Sequence, residues 1–176
     1  MQIAALLGAA VIASAATAER RQAARALGAA HAVDSTSPDW PDQVRTLTSG
    51  RGVDVLLHVS GGEVLGQALD LLAPFGRLVV AGRAGGRTGV IPTEMMERFL
   101  YRPSLHQSIR VFNLGLYFGM RPAEAGAALG RLIGWIIEGR VKVPVGHVMP
   151  LAAAAEAHRV IEQRRSVGKI ILKPWL

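Results

Sequence analysis

The sequence predicts an α/β chain, a doubly wound and mainly parallel sheet, on three observations. Short β-branched runs alternate with helical segments through short loops, the pattern of successive strand–helix units. The run Gly52-Val53-Asp54-Val55-Leu56-Leu57-His58 is apolar on both faces after Asp54, as a parallel strand covered by helices on both sides is. Half of the 176 residues are hydrophobic but only 5% aromatic, so Ala, Val, Leu and Gly must fill the space between helices and sheet. A chain of this length makes one domain, residues 1–176.

The elements follow in order. Val11–Ala15, bounded by small residues, predicts a strand. Thr17 caps the next helix, Ala18–Leu27, and Gly28 supplies its left-handed stop. Ala32–Asp34 is a second strand. Ser37, Pro38 and Pro41 open a helix to Leu47, ended by Gly50 and Gly52, and the strand 52–58 follows. Glu63–Leu72 predicts a helix, Pro74–Gly76 a turn and Arg77–Ala81 a strand, followed by a loop with Gly at 82, 85, 86 and 89. A strand at Ile109–Leu114, helices at Ala123–Glu138 and Leu151–Gln163, and a last strand at Lys169–Leu172 complete the chain.

Composition narrows the chemistry. With no cysteine there is no disulfide, thiolate nucleophile or Cys-ligated zinc. The net charge is +7, from 17 Arg and only 3 Lys against 13 acidic residues. The basic residues are dispersed and lack the interleaved aromatics of a single-strand binder, so nucleic acid is not the expected partner, whereas an anionic small ligand is. The apolar start ending Ala16-Thr17-Ala18 imitates a signal peptide, but it has no basic leader and Gly8 interrupts it. It is also too short to span a membrane, and a cytoplasmic location is expected. The five histidines, 31, 58, 106, 147 and 158, have no metal-ligand spacing, and no residue offers itself by position as a proton donor.

Several segments carry a resemblance. They are Val11-Ile12-Ala13-Ser14 with Arg20, Ala24–Ala29 and Val33-Asp34; Gly52–Val55 with Gly61-Gly62; Leu72–Val79; and the tail Pro150-Leu151, Ala155–His158 and Gly168–Leu172. Together they resemble the medium-chain dehydrogenase/reductase superfamily, in its zinc-free quinone oxidoreductase (zeta-crystallin-like) branch. The resemblance covers the later part of such a protein and implies a Rossmann-like domain lacking its first strand and its Gly-rich phosphate turn. Residues 140–176 would be the return segment, and Met1–Ala9 the end of the helix that follows that turn. No G-x-G-x-x-G precedes a helix here, so either the chain is a truncated reductase or its sheet is reorganised. The implied activity is NADPH-dependent reduction of a quinone or enone, with no activity and weak or absent cofactor binding for this chain alone. The competing reading is a cofactor-less remnant serving as a dimerisation or partner module, or recruited as an isomerase or cyclase.

The resemblance also locates the cofactor residues. The strand before Thr17 ends without a carboxylate, at Ser14, and Arg20 follows where the family has a basic phosphate ligand; hydroxyl and guanidinium suit a 2′-phosphate, although Arg20 on a solvated helix face needs no ligand. Ser60, Gly61 and Gly62, then Gly82, Arg83 and Ala84, form loops at strand carboxyl ends that would face a dinucleotide, as would the stretch containing Arg164. Ser35 replaces a frequent Tyr, and His58 stands where the family usually has an acidic residue. The apolar strand around residues 108–118 would join its counterpart in a homodimer.

Overall fold

The computed structural model describes every residue except 63, 83, 85, 87, 102–104, 164 and 176. In chain order its elements are α1 (Gln2–Leu6), β1 (Ile12–Ala15), α2 (Ala18–Ala26), β2 (His31–Asp34), α3 (Trp40–Leu47), β3 (Val53–His58), α4 (Val64–Leu69) and β4 (Leu72–Val80). Then come α5 (Thr93–Tyr101), β5 (Ser108–Val111), α6 (Leu114–Met120), α7 (Pro122–Ile137), β6 (Val145–Pro150), a 3₁₀ turn (Leu151–Ala153), α8 (Ala154–Glu162) and β7 (Lys169–Lys173). Every strand pair is parallel, as expected for strands joined by helical crossovers. Among the described residues the strands form three sets: β1–β2, β3–β4–β5 and β6–β7. The chain divides into two compact units, residues 1–34 with 129–176, and residues 35–128.

In the first unit the small residues of α2 lie against β1 and β2, burying Ala24 and Val33. The Thr17 side chain accepts the Arg20 amide proton, so α2 starts where the sequence places it; it ends at Ala26, one residue before the expected Leu27, and Gly28 turns left-handed at φ 97°. Residues from the two ends of the chain also meet. The Gln2 carboxamide donates to the Lys142 carbonyl at 2.8 Å and accepts the Lys142 amide at 2.8 Å, as a neighbouring strand would. Farther along, the left-handed Gly168 (φ 88°) passes so close to Pro144 that a Cβ would stand 2.7 Å from its carbonyl oxygen.

The second unit is built on one aliphatic cluster. Leu65, Ala68 and Leu69 of α4 pack with Leu72 and Leu78 of β4, and Met95 and Phe99 of α5 close over them. Trp40 of α3 is buried and satisfies its indole N–H on the Gln67 carboxamide at 3.1 Å.

The structure corrects several expectations. One face of β3 is bare rather than covered: Val55 is 50% and Leu57 65% exposed, while Leu56 and His58 point to the packed side. An apolar run on both faces therefore does not mean helices on both faces here. Pro74–Gly76 is not a turn before a strand but an irregularity inside the nine-residue β4. Phe75 adopts φ 62° there, and the β3–β4 register shifts between Val53 and Val55. The helix before β4 ends at Leu69, because Leu72 already pairs with Val53. The strand expected over 109–114 stops at Val111, since the Asn113 side chain accepts the Leu116 amide and starts α6. The elements α5, α6 and β6 were not expected.

Candidate functional site

Two of the expected loops come together at the carboxyl ends of β3 and β4. His58, the last residue of β3, accepts the Ala81 amide on its own carbonyl at 2.9 Å, and the chain then turns through Gly61 (φ 75°) and Gly62 (φ 79°). Such left-handed geometry on two successive residues is accessible to glycine at little cost. The Val59 carbonyl accepts the Ala84 amide at 2.7 Å, which ties this loop to Gly82–Ala84. Ser60, Gly82 and Ala84 are exposed, and Gly61 and Gly62 are half-buried. Adjacent parallel strands thus present two joined glycine loops at their carboxyl ends, where open α/β sheets bind ligands.

The first unit gathers a second set. Ser14 is exposed near the end of β1, and Arg20 follows in the first turn of α2. The Arg20 guanidinium donates to the Ser166 carbonyl at 3.1 Å, across 146 residues of sequence. Its neighbour Arg21 closes the adjoining strand ends, donating to the Ala15 carbonyl at 3.1 Å and pairing with Asp34 at 2.8 Å. Sequence reasoning missed Ser166, Arg21 and Asp34. A carbonyl so far along the chain gives no local signal, whereas an Arg in the first turn of α2 and the Asp that ends the next strand could have been suspected as a pair. Arg83 and Arg164 lie outside the described residues.

His58 is 5% exposed, and its Nε2 accepts the Gly61 amide proton at 2.9 Å. Burial pushes its imidazole below the ordinary histidine value. Elsewhere, Arg51 grips Asp54 through two hydrogen bonds and holds its carboxyl below the usual carboxylate range, but the pair is solvent-exposed and away from the loops. Among the described residues no group of three or more His, Asp and Glu could hold a metal ion. No helix among them is long and apolar enough to cross a membrane. An open groove of about 650 Å³ lies between α2 and the segments 142–144 and 167–169, but none of the expected site residues lines it, so the joined loops are the better candidate.

Comparison with known proteins agrees with this architecture. Residues 27–172 match the family model described as zinc-binding dehydrogenase. The chain is 33% identical over 168 residues to 2-haloacrylate reductase from Burkholderia sp, with 96% of this chain and 49% of that protein aligned. It is 34% identical over 170 residues to phthioceranic/hydroxyphthioceranic acid synthase from Mycobacterium bovis, covering 97% of this chain and 8% of that much longer protein. The crystal structure of an Escherichia coli quinone oxidoreductase complexed with NADPH superposes with a TM-score of 0.84 at 26% identity, over 98% of this chain and 52% of the other. The chain therefore belongs to the zinc-binding dehydrogenase family, in the quinone oxidoreductase-like part of the medium-chain dehydrogenase/reductase superfamily. It spans about half the length of the 2-haloacrylate reductase and quinone oxidoreductase it matches.

Proposed function

We propose that this chain is the nucleotide-binding part of a zinc-independent reductase that uses NADPH to reduce a quinone or other conjugated carbonyl. The observation that carries the reading is the pair of glycine loops, 59–62 and 82–84, joined at the carboxyl ends of neighbouring parallel strands. Their fit to a dinucleotide rests on left-handed glycines at 61 and 62, which let backbone come close to a ligand. In the first unit Ser14 and Arg20 would hold the 2′-phosphate, with Arg20 oriented by the Ser166 carbonyl. Arg83 and Arg164 are proposed as further cofactor-binding residues. When bound, the nicotinamide supplies the hydride, and the protein contributes orientation and electrostatics.

The described residues include no Gly-rich turn before a helix to cradle the pyrophosphate. This supports weak or absent cofactor binding by the chain alone. Hydride transfer needs near-attack geometry, and an error of about 1 Å can cost roughly 100-fold in rate. The 176-residue chain should therefore show no NADPH oxidation above background with a simple quinone or an acrylate. Activity should appear when the part of a relative that this chain does not span is supplied in cis or in trans. Saturable turnover by the chain alone would contradict this reading. No activity in the completed enzyme would favour a binding module.

We also propose a homodimer through the outer edge of β5, the last strand of its set. The Phe112 amide donates inward to the Val80 carbonyl at 2.8 Å, so the Val111 amide, one residue earlier, faces the outer edge. Val111 is 81% exposed, and Phe112 and Leu114 continue the apolar strip. Val111→Pro removes the outward donor, and light scattering should then find monomer where the parent chain is a dimer. A monomeric parent at micromolar concentration would refute the pairing.

A further inference from the structure

Resting on the dinucleotide reading of the glycine loops, we propose that His58 is a positioning residue for the loop Val59–Gly62. Its neutral imidazole holds the loop through the Gly61 amide, and protonation of the ring releases the loop and weakens cofactor binding. The geometry gives the ring one task. Nε2 accepts the Gly61 amide proton at 2.9 Å, so it must carry a lone pair, and in a neutral ring the proton then sits on Nδ1. The ring cannot easily move away, because the His58 carbonyl is fixed by the Ala81 amide and its side chain is buried on the packed face of β3. If Nε2 gains a proton, two N–H groups face each other inside this half-buried turn.

The strain then falls on the loop. Beyond the Ala84 amide on Val59, the Gly62 carbonyl accepts the Leu65 and Val90 amides, each at 3.4 Å. Displacing the loop therefore disturbs Gly82–Ala84, the start of α4 and the segment leading to α5. A carboxylate acceptor would keep its hold down to about pH 4, whereas an imidazole gives way within reach of neutrality. Burial lowers the ring's pKa, so the lock is closed at neutral pH and opens on acidification. Among the described residues no charged group acts on the ring. Glu63, the only carboxylate in the segment 58–65 and outside the described residues, is controlled by substitution.

A histidine whose pKa is depressed by folding contributes stability that is complete above the unfolded value of about 6.5 and is lost as pH falls below it. The test is nitrogen-15 NMR of the 176-residue chain between pH 7.5 and 5. The account expects the Nδ1–H tautomer of His58 at pH 7.5. It also expects the Gly61 amide shift to move with the His58 midpoint, and Gly61 exchange to rise about tenfold beyond its intrinsic pH dependence. In His58→Gln the side-chain oxygen accepts the same proton without titrating, so the Gly61 shift should stay flat, while Glu63→Gln should behave as the parent. An Nε2–H tautomer, a Gly61 shift unmoved while His58 titrates, titration persisting in His58→Gln, or titration abolished by Glu63→Gln would each overturn the lock.

A second arm measures NADPH affinity at pH 7.5 and 5.5. The parent should lose about threefold more affinity on acidification than His58→Gln, a comparison that cancels titration of the 2′-phosphate itself. Equal losses would overturn the link to cofactor binding. Absence of NADPH binding at both values would overturn that link and the dinucleotide reading together, while the NMR outcome would still decide the loop lock.

Discussion

Residues 35–128 are held by large aliphatic side chains, whereas residues 1–34 and 129–176 are held by small side chains and polar ties. In the former, Leu65, Leu69, Leu72 and Leu78 bury together under two helices. In the latter, the buried residues are Ala24, Ala29, Val33, Val141, Ala157 and Val160, and the two chain ends are joined by the Gln2–Lys142 and Arg20–Ser166 hydrogen bonds. Hydrophobic stabilisation follows buried area, so the aliphatic unit should be the more robust. The polar unit instead gains specificity. A mispaired strand there leaves carbonyls and guanidinium groups unmatched, which is costly where they are partly buried. It is also the unit that contains Ser14 and Arg20, the residues proposed for the 2′-phosphate.

The contrast can be broken at three places, in order of expected effect. Leu78 is fully buried at the centre of the aliphatic cluster, and Leu78→Ala should cost about 2–5 kcal/mol. Hydrogen exchange should quicken at β3–β5 amides and leave β1–β2 amides nearly unchanged; uniform acceleration would mean the units are not separable. Arg21→Ala removes the Asp34 ion pair and the Ala15 carbonyl bond, and should cost about 1 kcal/mol with its effect centred on β1–β2. Asp54→Asn should leave urea stability unchanged at neutral pH, because the Arg51 pair is solvent-exposed. Its lowered carboxyl implies only a small stabilisation, present above the usual carboxylate range and lost as pH falls through the folded value. A large loss would mean that polar ties matter in the aliphatic unit as well.

How much of this was legible in the sequence depends on how local each cause is. The α2 boundaries were readable because Thr17 and Gly28 act within one turn of the helix. The crossover pattern was readable because parallel strands need helical connections. Pro74-Phe75-Gly76 was misread because those residue types ordinarily end a strand, whereas β4 absorbs them with a positive φ and a register shift. Asn113 is an available signal for α6, masked by the apolar residues on either side of it, which extend the strand pattern. At the site, the glycine loops could be placed from strand ends alone. The Val59–Ala84 and Arg20–Ser166 bonds could not, since each joins residues that only the folded chain brings together.

The central claim is that this chain holds a dinucleotide and distinguishes the phosphorylated form through Arg20. Calorimetric titration with NADPH and NADH, on the parent chain and on Arg20→Ala, tests it most directly. The account predicts that NADPH binds about tenfold more tightly than NADH, a difference of about 1.4 kcal/mol, and that Arg20→Ala brings NADPH down to the NADH level. Equal affinities in the parent chain, no binding of either cofactor, or an Arg20→Ala variant that binds NADPH unchanged would contradict it.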